Sequence, residues 1–160
     1  ILYRFAEFLG KGDGSNDASL IRELDTILKE ALDLVYLDHS NHLFHQTNYH
    51  IHYFEMRKHQ NNILRDMANN VNNCQLAASE SLIFAQLFAK TASQLSQENP
   101  AQFLLDEINR YLAVFRERPL PRSRQEFETR ATLLQLLRDL ETFISIKVEF
   151  YQTYQKELQA

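Results

Sequence analysis

The run PLPRSRQEFETRATLLQLLRDLETFISIKVEFYQTY, residues 119–154, decides the fold. Pro119 and Pro121 forbid a helix behind them, because each ring removes an N–H and pushes the preceding residue out of the helical region. Ser123, with Glu126 three positions on, reads as a capping box that satisfies the orphan N–H groups of a first turn. Neither Gly nor Pro follows, so the helix can run on to the chain end. At about 100° per residue, Leu133, Leu134, Leu136, Leu137, Leu140, Phe143, Ile144, Val148, Phe150 and Tyr151 share one wide arc. That arc is broader than the stripe of a helix packed on one side. The spacing therefore predicts a long central helix with more than one neighbour. Three polar residues sit within the same arc: Glu126, Arg130 and Lys147.

Upstream, Asn99-Pro100 marks a helix start, with Asn99 as cap and Pro100 at the first helical position. That helix carries Phe103, Leu104, Ile108, Tyr111, Leu112 and Phe115 and ends before Pro119. A further helix spans about 76–96 and presents Leu82, Ala85, Phe88, Ala92 and Leu95. Before it, periodicity predicts a helix from about Gln46 to Val71, with Tyr49, Tyr53, Met56, Ile63, Leu64, Met67 and Val71 on its apolar face. Arg57 and Gln60 point into that face. Asn69, Asn70, Asn72 and Asn73 crowd a poor helix-forming stretch, so a break falls there, although one continuous helix to Leu95 also fits the spacing. The first helix of the domain starts near Asn16 or Asp17, which can cap it, and fades near Asp38 to Asn41. Leu20, Leu24, Ile27, Ala31 and Leu34 keep helical spacing along it, with Ile21, Leu28 and Val35 alongside. Gly10, Gly12 and Gly14 are all the glycines of the chain, and residues 1–15 read as a linker. Residues 16–160 then form one all-α domain. Short connections imply an up-and-down antiparallel bundle of four to five helices with a long C-terminal helix.

Composition narrows the function. The chain has 160 residues, enough for one domain with a real core. Its net charge is −4, from 17 basic and 21 acidic residues, which is not the clustered basic footprint of a nucleic-acid binder. A single cysteine, Cys74, excludes an internal disulfide and fits a reducing compartment. No apolar run reaches the ~20 residues of a membrane span. The glycine segment lacks the spacing of a phosphate loop. Neither a nucleophile elbow nor a forced acid–base pair is present, so the reading is of a chain that is no enzyme and uses no cofactor.

Two constellations carry chemistry. His39, His42 and His45, three apart, could turn imidazoles to one side and hold a metal. His45, His52 and His59 are seven apart, so neighbours stand ~10 Å from each other on one helix and cannot share an ion. We read these residues as a polar loop and helix flank, with a His-rich metal-binding helical protein as the alternative. The second constellation is Arg57, Gln60, Glu126 and Arg130, polar groups inside apolar arcs. Buried charges are costly unless paired, so Arg57, Glu126 and Arg130 are expected to meet between the helix of 46–71 and the last helix. Such a network either fixes helix register or, with two arginine forks, receives a carboxylate.

Two segments resemble a known family. YFEMRKHQNNIL, residues 53–64, and PLPRSRQEFETRA, residues 119–131, are similar to segments of the C-terminal domain of the aromatic acid exporter family. The resemblance covers most of the chain, from about residue 16 to Phe150. It implies a helical domain at the cytoplasmic face of a bacterial multi-pass membrane protein, whose transmembrane region precedes Ile1 and is its first partner. It further implies export of aromatic carboxylic acids by the whole protein, with assembly, gating or ligand sensing for this domain. An aromatic carboxylate and a second copy of the chain are the other expected partners. A free-standing helical interaction module is the remaining alternative.

Overall fold

The computed structural model describes residues 1–11, 19–41, 49–72, 78–95, 99 and 101–158. They form six helices and no strand: α1 Leu2–Lys11, α2 Ser19–Asn41, α3 Tyr49–Asn72, α4 Ala78–Gln94, α5 Gln102–Arg116 and α6 Arg124–Leu158. With 35 residues, α6 is about 52 Å long and spans the whole bundle. It packs on both α3 and α5, while α2 packs on the other side of α3. The helices α2, α3, α6 and α5 thus follow one another across the molecule, with the α1–α4 pair against them. Contacts run antiparallel. Tyr49 of α3 meets Phe150 and Tyr154, Gln60 reaches Phe143, and Asn70 reaches Asp139.

The core is one cluster. Leu133, Leu136, Leu140, Phe143 and Ile144 of α6 lie at its centre with Met67 and Val71 of α3 and Ile108 of α5. The broad arc of α6 is therefore buried on two sides, as its width demanded. The start of α6 is capped as its sequence implies. The Ser123 Oγ accepts from the Glu126 N–H at 3.1 Å. The Glu126 carboxylate reaches back one residue further than in a standard box, to the Arg122 N–H at 2.7 Å.

Two expectations need correction. Residues 1–15 are not merely a linker: residues 2–11 form α1, and Leu2, Phe5 and Leu9, one and two turns apart, enter the core against α4. The Phe5 ring meets Phe88 edge-on at 5.5 Å. An amphipathic octet is too short to show a period by itself, and adjacent glycines obscure it. The helices over 49–72 and 78–94 are two elements, in line with the break expected near residues 69–73, and residues 73–77 lie outside the described residues. The second correction is that α5 begins at Gln102, two residues past Pro100. Ala101 takes a left-handed conformation, with φ 62°, and its N–H is held by the Asn99 Oδ1 at 2.9 Å.

Helix phase also shifts. On α2 the buried stripe is Ile21, Leu28 and Leu32, and Ile27 and Leu34 face outward. On α4 Leu82 is exposed while Phe84, Leu87 and Phe88 are buried. On α5 Phe103 and Tyr111 point out, and Leu104, Ile108 and Leu112 point in.

Candidate functional site: a cationic edge on an apolar cavity

Arg57, Gln60 and Asn61 lie within one turn of α3 and project where α3 faces α6, α2 and α1. Gln60 is 2% exposed. Its Nε2 donates to the Phe143 carbonyl at 2.8 Å, and its Oε1 accepts from the Arg57 guanidinium at 3.1 Å. The Arg57 Nε donates to the Tyr53 hydroxyl at 3.1 Å, and the guanidinium carbon stands 5.1 Å from the centre of that ring. Asn61 is fully buried. Its Nδ2 donates to the Ile21 carbonyl at 3.0 Å and to Asp25 at 2.7 Å. Both partners are acceptors, which assigns the amide orientation and leaves the Oδ1 buried without a donor.

One turn beyond Phe143 on α6, Lys147 is 3% exposed. Its ammonium donates to the Asn99 carbonyl. Burial, and secondarily the charge of Arg57, lower its pKa from 10.5 to about 8. A buried ammonium thus lies near enough to a partly buried guanidinium to feel its charge. Among the described residues neither has a carboxylate partner, although buried charge is costly when unpaired.

Beside them opens a cavity of about 430 Å3, within the ~300–1,000 Å3 of small-molecule sites. Leu2, Leu24, Leu28, Leu64 and Leu95 supply aliphatic walls. Tyr3, Tyr53, Phe54 and Phe143 supply rings. Arg57, Gln60 and Asn61 form the polar edge. Apolar walls with a few convergent polar groups suit a small amphipathic anion: a ring packs on the walls and its charge meets the guanidinium.

The other half of the expected network is elsewhere. Glu126 and Arg130 pair at 2.5 Å, and Arg130 also donates to the Pro119 carbonyl. This brace closes the turn between α5 and α6 and is partly exposed. Thirteen residues separate Arg130 from Phe143, about 20 Å along α6, so Arg57 does not meet Glu126 or Arg130. Their shared arc is an angle about the helix axis; height along the axis separates them. Lys147, the third polar residue of that arc, is the one that feels the charge of Arg57, although it does not line the cavity.

The histidine constellation is mostly outside view. His42, His45 and the side chain of His39 lie outside the described residues. The His52 ring bonds Glu55 at 3.2 Å and stacks on Tyr154 at 5.6 Å. Among the described residues no three His, Cys, Asp or Glu side chains group as a metal site would require.

Fold and site together define an all-α domain with a cavity of ligand-binding size. The chain belongs to the family described as "Putative aromatic acid exporter C-terminal domain", whose model matches residues 1–148. It is 31% identical over 149 residues to "Uncharacterized protein YqjA" of Bacillus subtilis (strain 168), covering 91% of this chain and 46% of that protein. The chain thus spans about half the length of that relative. Its fold is also that of a "putative membrane protein from Clostridium difficile 630", whose crystal structure matches with a TM-score of 0.81 at 22% identity. That match covers 94% of this chain and 90% of the other. Among the described residues no helix is long and apolar enough to cross a membrane.

Proposed function

We propose that this chain is the C-terminal domain of a bacterial exporter of aromatic acids. In this reading it stands at the cytoplasmic face of the membrane and senses the exported acid without chemical conversion. A ligand there would bias assembly or gating of the membrane region. One observation carries the reading: Arg57, a partly buried cation without a carboxylate partner among the described residues, lines an aromatic-walled cavity of about 430 Å3, and its charge is felt by the buried Lys147. An aromatic carboxylate supplies the missing charge and a ring for the walls.

The test is thermal denaturation with benzoate. A ligand at 100 times its Kd stabilises the native state by about 2.7 kcal/mol. At roughly 2–4 °C per kcal/mol for a chain of this size, the melting temperature rises by about 5–11 °C. Arg57→Ala removes the fork and abolishes the rise. Acetate, with the charge but no ring, gives little. Equal shifts for wild type and Arg57→Ala, or for benzoate and acetate, overturn the reading.

A further inference from the structure

The cavity beside Arg57 is larger than a single ring requires. An apolar cavity of about 150 Å3 holds one benzene, and this one measures about 430 Å3, roughly three times as much. Its two sides differ in chemistry. Tyr53, Phe54, Arg57 and Gln60 come from two turns of α3, and Phe143 of α6 closes beside them, its carbonyl bound by Gln60. The cation and these three rings therefore share the α3–α6 wall. On α1, α2 and α4 the lining includes Leu2, Leu24, Leu28, Ala92 and Leu95, none with a polar side-chain atom. Helix α4 packs chiefly on α1, so the cavity extends from the guanidinium on α3, past α1, to Ala92 and Leu95.

The polar atoms of the α3 wall are largely engaged within the protein. The Tyr53 hydroxyl and the Gln60 Oε1 both accept from the Arg57 guanidinium, and the Gln60 Nε2 donates to Phe143. The Asn61 Oδ1 is sealed from solvent. Arg57 keeps N–H donors beyond the two that hold Tyr53 and Gln60. Tyr3, the other hydroxyl-bearing residue of the lining, is 57% exposed and stands at the mouth. The interior thus offers a ligand one charged anchor, and the rest of its walls are apolar.

We infer, resting on the aromatic-acid reading above, that the ligand is an extended apolar monocarboxylate rather than a single-ring acid. Its carboxylate meets Arg57, and its first ring lies against Tyr53, Phe54 and Phe143. A second apolar group opposite the carboxylate, either a further ring or a branched alkyl, fills the lobe lined by Leu2, Ala92 and Leu95. A single ring leaves that lobe to water against aliphatic walls and forgoes the gain from their burial. Each further buried CH2 adds about fourfold in affinity. A second polar group in the same place is desolvated without a partner, which weakens binding by about tenfold or more. The site selects for charge on one side and for apolar bulk on the other.

Isothermal titration calorimetry with benzoate, 4-tert-butylbenzoate and terephthalate tests this. With half the carbons of the tert-butyl group fully buried, 4-tert-butylbenzoate should bind more than ~10-fold tighter than benzoate. Terephthalate, which carries a second carboxylate in the same position, should bind at least ~10-fold more weakly than benzoate. General greasiness of the ligand is separated from the lobe by Ala92→Leu. Ala92 is half-buried and lines the lobe, so the larger side chain fills space there and leaves the Arg57 wall untouched. The variant should bind benzoate within about twofold of wild type and lose the advantage of 4-tert-butylbenzoate. Circular dichroism checks its fold, and Leu95→Phe replaces it should it not fold. Benzoate binding without the tert-butyl advantage, terephthalate binding as tightly as benzoate, or an advantage that survives in the folded variant overturns this assignment alone. So does loss of benzoate binding in that variant. No binding of any of the three acids by wild type overturns the aromatic-acid reading, and this assignment with it.

Discussion

Lys147→Met tests whether the centre of the molecule holds a cation at a cost. The side chain is 3% exposed, donates to the Asn99 carbonyl, and has a pKa lowered to about 8, chiefly by burial. A folded-state value below the unfolded 10.5 means that the unfolded chain holds this proton more tightly. The protonated amine therefore opposes folding. At about 1.36 kcal/mol per pH unit, the penalty below pH 8 approaches ~3 kcal/mol. Between about pH 8 and 10.5 the unfolded state binds more protons than the folded one, so this group makes stability rise with pH across that window. Met keeps the length and removes the charge, but it leaves the Asn99 carbonyl without its donor, at about 1–2 kcal/mol. The variant should then exceed wild type by about 1–2 kcal/mol at pH 7. Near pH 10.5, where wild type no longer carries the penalty, the order should reverse. Urea denaturation followed by far-UV circular dichroism at both pH values measures this directly, since comparison at equal pH cancels the other titrating groups. A variant more than about 2 kcal/mol less stable at pH 7, with the same deficit at high pH, would refute the account. Lys147 would then be a net stabilising partner.

Phe5→Ala should cost about 3–5 kcal/mol, because a buried ring against Phe88 is lost, whereas exposed Tyr3→Ala should cost little. Equal small effects in urea would show that α1 does not belong to the core. Ser123→Ala should lower stability by about 1 kcal/mol through the lost cap, measured the same way. Glu126 is held below its ordinary 4.5, first by the Arg122 N–H and then by Arg130. Its contribution is therefore complete above pH 4.5 and lost as pH falls through the lowered value. The gap between wild type and Glu126→Gln should close in acid. Lys147→Met should leave most of the benzoate-induced melting shift in place, because Arg57 lines the cavity and Lys147 does not; loss of the shift would refute this assignment.

The long helix was legible because its period repeats over nearly ten turns and both its start signals, the prolines and the Ser123–Glu126 cap, lie in a row. Arg57 and Gln60 were legible as inward-facing because they interrupt an apolar stripe on α3. Their partner was not. Helical phase says which way a residue points, so Glu126 and Lys147 looked alike from the sequence, although 21 positions, about 32 Å, separate them on one helix. Register between α3 and α6 decides which of them meets Arg57, and register is a tertiary quantity. Asn61 gave no signal, because its burial depends on α2 lying across it. The α2 phase failed for a different reason. That helix has two apolar stripes, and nothing local says which of them faces the core.

The double stripe of α2 and the cations of α3 and α6 obey one physical rule. A chain that needed only stability would replace Lys147 by an apolar residue, since unpaired interior charge opposes folding. It would also make the outer stripe of α2 polar, since exposed apolar surface invites association. Both features are unfavourable in the isolated chain, and the first becomes favourable when an anion arrives beside the cations. Leu24 belongs to both places, lining the cavity and lying in the outer stripe. A ligand that packs against Leu24 from inside therefore acts on the residue row of the outer stripe of α2.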